Sequence, residues 1–375
     1  MQVALPFQIY QLTGSTLAVA ALSFVELVPL VTLTLLGGAL ADAVDRRRLL
    51  IWTQVGMAVT GVGLVVNAAV PHPQGWACFV LAFFSASFFC LGIGGMRSIT
   101  PRLVGEQALP AAIVLESISG SFASVAGPAF AGVLIGTIGL TATYAVDLAT
   151  FVIGIASILA LPAIAPLVDA ARPSLRSIAD GFRYVRTQPV VLGFMLVDVN
   201  AMVFGMPMAL FPAIATHKYG DPSLVGYLYA APYAGALATS LASGWIPHVR
   251  RQGLAVAIAA SCWGVAIAAF GFSDTLWLGL LLLAIAGGAD DISAVFRSTI
   301  MLSATPENMR GRLTGIEFMQ VASAPTLGNV EAGVVASLTS LRFSIVSGGL
   351  ACVVGTFLVA LAVPAFIRYD ARARE

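Results

Sequence analysis

Apolar runs of about 20 residues recur along the whole chain, separated by short polar or Gly/Pro-rich breaks. That length is what a helix needs to cross a hydrocarbon core of about 30 Å, and irregular backbone is tolerated at such depth only where protein or a water-filled cavity surrounds it. Cutting at the breaks predicts eleven full membrane helices over 17–40, 49–70, 76–99, 110–138, 142–164, 190–215, 224–246, 254–272, 276–302, 313–338 and 343–366. A stub over 1–12 precedes them. At 1.5 Å per residue it is about 18 Å long, too short to cross. It has neither a basic leading segment nor a small-residue cleavage site, so a secretory signal is not expected.

Composition sharpens this picture. The 375 residues are 59% hydrophobic and only 10% charged, with a mean hydropathy of +0.94. A soluble domain is about 25% charged, so a soluble enzyme is excluded and an all-α polytopic membrane protein is predicted. The formal net charge of +1 leaves no basic field for nucleic acid. Cys78, Cys90, Cys262 and Cys352 stand singly in apolar runs, which argues against a disulfide framework or zinc site; they are expected to pack as small hydrophobes. His72, His217 and His248 fall in separate loops, no nucleotide or hydrolase motif occurs, and no metal or cofactor is expected.

Of the 19 Lys and Arg residues, 17 fall on one side of the predicted spans, leaving Lys218 and Arg342 on the other. Basic residues favour the cytoplasmic side, so the C-terminus is expected there. The two halves align at an offset of 206, pairing Pro6 with Pro212, Gly14 with Gly220 and Gly38 with Gly244. Arg46 and Arg47 recur as Arg250 and Arg251, while Arg97 recurs as Arg297 ahead of Pro101 and Pro306, in what reads as equivalent cytoplasmic loops. On this register Met1 falls opposite Pro207, and 190–206 has no counterpart. The expectation is therefore a twelve-helix architecture whose first helix is about 17 residues short, through a misassigned start, an imposed chain boundary or a real deletion. The domains expected are an N-terminal bundle over 1–165, a cytoplasmic linker over 166–189 and a C-terminal bundle over 190–375. In the linker Leu175, Ile178, Phe182 and Val185 recur at helical spacing, which suits either an amphipathic helix on the membrane surface or a solvated one.

The segment from Gly38 to Leu50, with Leu40, Asp42, Arg46 and Arg47 at fixed spacing, resembles the G-x-L-A-D-x-x-G-R-[RK]-x-x-L signature of the major facilitator superfamily. Ala43 and Asp45 depart from it, and the D-R-R-R form is similar to the branch of enterobactin exporters and macrolide efflux proteins. The resemblance implies two pseudo-symmetric six-helix bundles working by alternating access, with Gly38, Asp42, Arg46 and Arg47 as a cytoplasmic gating latch against the eleventh helix. A loop that only sets topology by its charge is the alternative. In the fifth helix Gly127, Pro128 and Gly132, followed by Gly136, resemble the antiporter signature g-x-x-x-G-P-x-x-G-G, with Ala123 and Ala131 replacing glycines. An ordinary Gly/Pro kink is the alternative there.

Ionisable groups inside a membrane are costly, and each is a functional candidate until a partner explains it. Glu26, Asp198 with Asn200, Asp290, Asp291 and Glu331 are candidates for proton coupling or substrate binding; Glu116, Glu317 and Asp147 complete the set. A tie between helices or a partner for Arg97 or Arg297 competes for each. Tyr227, Tyr229, Tyr233, Phe204, Gln320 and Asn329 are candidate cavity-lining residues, with packing as the alternative. The expectation is a monomeric exporter in a bacterial cytoplasmic membrane, coupling inward proton flow to expulsion of a small amphipathic compound, siderophore-like or drug-like. Lysophospholipid or metabolite movement, and a non-transporting scaffold, are the rival expectations, and a membrane enzyme the weakest. Eighteen arginines against one lysine suit a GC-rich bacterial gene.

Overall fold

The computed structural model describes residues 1–161 and 175–370, apart from the side chains at 35–39, 41–43, 94–107, 110, 175–180, 247, 308 and 311. Among the described residues the regular structure is entirely helical. The chain divides into two compact units, one comprising Met1–Pro173 with Pro222–Gly226, the other Ser174–Asp221 with Tyr227–Glu375.

In the first unit α1 (Ala4–Thr13) ends at Gly14, whose φ of 61° lies in the left-handed region and whose N–H donates to the Tyr10 carbonyl. Glycine adopts that conformation without a Cβ clash. Ser15 then caps α2 (Thr16–Ala43) by accepting from the Ala18 N–H, and Asp45 caps α3 (Arg46–Ala69) by accepting from the Arg48 N–H. Such caps satisfy donors that the first helical turn leaves open.

Helical backbone continues through α4 (Gly75–Leu159) for 85 residues, where the sequence predicts three spans with polar breaks. A straight helix of that length would reach about 128 Å. The contacts show that it is not straight. Asn67 donates to Cys78 Sγ, Gly63 abuts Leu81, Gly56 abuts Phe88, and Gly92 abuts Thr53. The far end of α4 meets the same helix in the same direction: Thr141 donates to the Ala68 carbonyl, and Arg47 donates to the carbonyls of Ile158 and Leu159. Both ends of α4 thus run antiparallel to α3, so the stretch between them crosses back. Gly139, at φ 83°, marks the second reversal.

The second unit opens with α5 (Leu175–Thr187), which packs on α11 through Gly181 against Ile316. Its buried positions are Gly181 and Val185, whereas Phe182, placed on the apolar face by its spacing, is exposed. Leu175 and Ile178 lie outside the described side chains. The predicted span 190–215 is broken. Its first part, α6 (Pro189–Phe204), stops at Gly205; after Pro207 come a 3-10 turn (Met208–Leu210), the single turn α7 (Phe211–Ala213) and a π turn (Ile214–Lys218). Proline lacks the N–H that would continue the ladder. The freed groups are satisfied from other helices: the Trp263 indole donates to the Gly205 carbonyl, Tyr229 to the Met208 carbonyl, and the Ala209 N–H to Asn329 Oδ1. Gly220 follows at φ 73°, matching Gly14 across the 206-residue repeat.

The remaining helices are α8 (Val225–Leu241), α9 (Gln252–Phe272), α10 (Leu276–Ala304), α11 (Glu307–Leu338), α12 (Leu341–Ala362) and α13 (Pro364–Ile367). Lipid is as apolar as leucine, so small residues that allow close backbone approach supply the packing. Gly264 of α9 and Gly349 of α12 meet so closely that a Cβ on either would strike the other's backbone. Among the described residues eight stretches are long and apolar enough to cross a membrane; Ala111–Leu159, at 49 residues, suffices for two. With α8 and the more polar α11 they account for the eleven spans, and α1 stands in the place of the twelfth. Cys78, Cys90 and Cys352 are buried as expected of small hydrophobes, but Cys262 is exposed on α9.

Candidate transport site

The second unit holds a buried ionic cluster built from three helices. Asp198 projects from α6 and is 2% exposed; Arg297 projects from α10 and is 8% exposed, with 2.7 Å between Arg297 Nη1 and Asp198 Oδ1. The same guanidinium nitrogen lies 3.6 Å from Asp290 Oδ1 and donates to Ser293 Oγ at 2.9 Å. Asp290, Ser293 and Arg297 stand at i, i+3 and i+7, which places them on one face of α10. From α11, Gln320 Nε2 donates to Asp198 Oδ2 at 2.6 Å and to the Met195 carbonyl at 3.3 Å. One cation therefore serves two carboxylates, with Gln320 occupying the second oxygen of Asp198. Asp290 is 35% exposed, so of the two carboxylates it is the less enclosed.

Arg297 does not lie in a loop, as its pairing with Arg97 suggests, but about two turns inside α10. Its partners include two of the candidate carboxylates. Asp291, adjacent to Asp290, has a different environment: Thr239 and Ser240 donate to its Oδ2 at 3.0 and 2.9 Å, which ties α10 to α8. Asn200 donates to the Cys352 carbonyl at 2.8 Å and so ties α6 to α12. Tyr229 and Asn329, candidate lining residues, support the break in the seventh span. Glu26 lies in α2 and Glu331 in α11; among the described residues neither has a hydrogen-bond or ion-pair partner.

In the first unit Gly38 and Asp42 belong to α2, but their side chains lie outside the described residues, as do those of Arg97 and Arg102. Arg46 is buried, and Arg47 caps the C-terminal end of α4, where a cation is favoured by the open carbonyls. Around Pro128 the glycines differ. Gly132 is pressed against Gly226 and Gly136 against Ser223, whereas nothing approaches Gly127 within 4 Å.

Solved structures share this architecture over nearly the whole chain. A nucleoside transporter, NupG, superposes with a TM-score of 0.73 at 14% identity, covering 98% of this chain and 97% of that one. A POT family transporter in complex with 5-aminolevulinic acid gives 0.74 at 12% identity, covering 97% and 93%. The fold is that of the major facilitator transporters, a multi-pass membrane architecture. The whole chain, residues 1–375, matches the transmembrane secretion effector family, and it belongs to that family. Its relatives include the enterobactin exporter EntS of Citrobacter koseri, 29% identical over 96% of this chain and 86% of the relative, and that of Escherichia coli O81, 28% identical over 96% and 87%.

Proposed function

We propose that this transporter is a proton-coupled exporter, moving a small amphipathic compound of siderophore-like or drug-like character out of the cytoplasm by alternating access, with its C-terminus on the cytoplasmic side. The observation that carries this reading is the Asp198–Arg297–Asp290 cluster, one cation shared by two carboxylates inside the spans. Taking an unpaired charge out of water is costly. Asp198 and Asp290 together exceed the charge of Arg297, and Glu317 of α11 also lies within electrostatic reach of Arg297 and Asp198, so protonation of Asp290 lowers the excess negative charge of the set. Gain and loss of that proton changes which carboxylate Arg297 serves, and Asp198, Arg297 and Gln320 connect α6, α10 and α11. The proton state thereby biases the packing of three helices, the kind of bistable element that a coupled transporter needs. The relatives named as enterobactin exporters support the outward direction and enterobactin as the first compound to try.

The test is transport of enterobactin, and of a panel of fluorescent amphiphiles, from cells expressing the chain, with and without a protonophore. Protonophore-sensitive efflux, lost in Asp290→Asn, is expected. Efflux that ignores the protonophore sinks the coupling, and efflux of no compound from a membrane-inserted chain sinks the exporter reading.

A further inference from the structure

The second unit also carries a cleft of about 950 Å³ whose walls come from α9, α10, α12 and α13. Ala266 and Thr356 form buried parts of its floor, while Ile258, Val265, Val354 and Phe357 at its margins are exposed. Its few polar side chains include Ser261, whose hydroxyl is already committed to the Ala257 carbonyl. Every helix forming its length is long and apolar enough to cross a membrane, and a cleft between such helices faces hydrocarbon in a bilayer. Along α9 the cleft runs from Leu254 to Ala269, about 22 Å at 1.5 Å per residue, which exceeds the half-thickness of about 15 Å of a hydrocarbon core.

One end of the cleft is different in kind. Leu254 and Ile367 close it, and there the start of α9 is bonded to the end of α13: the Gln252 N–H donates to the Tyr369 carbonyl at 3.1 Å, and Gly253 lies against the Phe366 carbonyl. That junction brings together Arg250, Arg251 and Arg368, all exposed. Among the described residues none of their guanidinium groups has a partner.

From this juxtaposition of an apolar membrane-facing cleft with three exposed arginines at one end we infer that the second unit binds an anionic phospholipid, one acyl chain in the cleft and the phosphate on Arg250, Arg251 and Arg368. The arginines supply the charge complementarity and the cleft supplies the chain site. The inference does not rest on the transport reading.

Native mass spectrometry of the full chain, titrated with phosphatidylglycerol or with phosphatidylcholine of identical chains, tests it. Phosphatidylglycerol adducts are expected to outlast phosphatidylcholine ones. The exposed pair of changes Arg251→Gln and Arg368→Gln is expected to weaken phosphatidylglycerol retention about tenfold or more. Ala266→Phe, which fills the cleft, is expected to weaken retention of both lipids. Equal retention of the two lipids, or retention unchanged by the arginine pair, overturns the inference. So does phosphatidylglycerol retention unchanged in a folded Ala266→Phe chain, which means a headgroup bound without its chain.

Discussion

Arg297 balances two carboxylates with one charge, and the geometry gives the two unequal claims on it. Asp198, at 2.7 Å and 2% exposure, is the committed partner; Asp290, at 3.6 Å and 35% exposure, is the exchangeable one. Removing the cation strands Asp198 without water or counter-charge. Arg297→Met is therefore expected to cost about 3–5 kcal/mol, and the Asp198→Asn, Arg297→Met double change less than the sum of its parts. Thermal unfolding in detergent across this double-mutant cycle reads the coupling, and strict additivity would mean that the pair does not interact. The neighbouring aspartates should separate cleanly. Asp290→Asn is expected to abolish transport driven by a pH gradient in proteoliposomes, while Asp291→Asn, whose amide oxygen still accepts from Thr239 and Ser240, should retain it. Loss in both variants equally would place the effect in α10 packing instead.

Part of this cluster was legible in the sequence. Asp290, Ser293 and Arg297 share a helical face by spacing alone, and the cost of intramembrane charge singles out Asp198. What spacing does not show is that Gln320, 122 residues from Asp198, supplies its second bond, or that Arg297 sits inside the helix. A basic residue a few positions before a proline break reads as a loop residue, because hydropathy fixes helix ends only to within a turn or two. Arg46, at the start of α3, is buried, which spacing does not show either.

At the scale of elements, the hydropathy pattern yields the spans because lipid imposes one length on all of them, but it says little about how the backbone joins them. The continuous helical backbone of α4 and the break after α6 are both set by tertiary contacts. The broken seventh span shows why. Gly205 and Pro207 permit a break, but Trp263, Tyr229 and Asn329, on three other helices, make it affordable by bonding the groups that it frees. A carbonyl or N–H left open inside a membrane has no water to turn to. Trp263→Phe, which bares the Gly205 carbonyl, is expected to cost about 1–3 kcal/mol, and Asn329→Ala a similar amount through the Ala209 N–H. Trp277→Phe, at a side chain 81% exposed, is the matched control and should change the unfolding temperature little. If all three behave alike, the bonds at the break are not what holds it. The repeat adds a correspondence. Shifting by 206 lays α1 on the part of the seventh span that follows the break, and both end at a left-handed glycine, Gly14 and Gly220.

For the whole molecule, direction of transport depends on orientation, and orientation rests on charge. The 17:2 division of basic residues is far from what chance placement would give, and the membrane potential and anionic lipid both favour arginine on the cytoplasmic side. Arg48 at the start of α3 and Arg342 at the start of α12 are both exposed and belong to opposite sides of that division. In a chain whose exposed Cys262 has been replaced by alanine, Arg342→Cys is expected to react with an impermeant maleimide added to intact cells. Arg48→Cys is expected to react only after the cells are opened. The measurement separates two readings that share every contact described above. With Arg48 inside, the arginine-bearing face is cytoplasmic, and a proton that the proposed cluster releases toward that face runs down the inward gradient, the direction the export reading needs. With Arg48 outside, the same cluster would discharge protons outward, against that gradient, and coupled export by this cluster would lose its driving force.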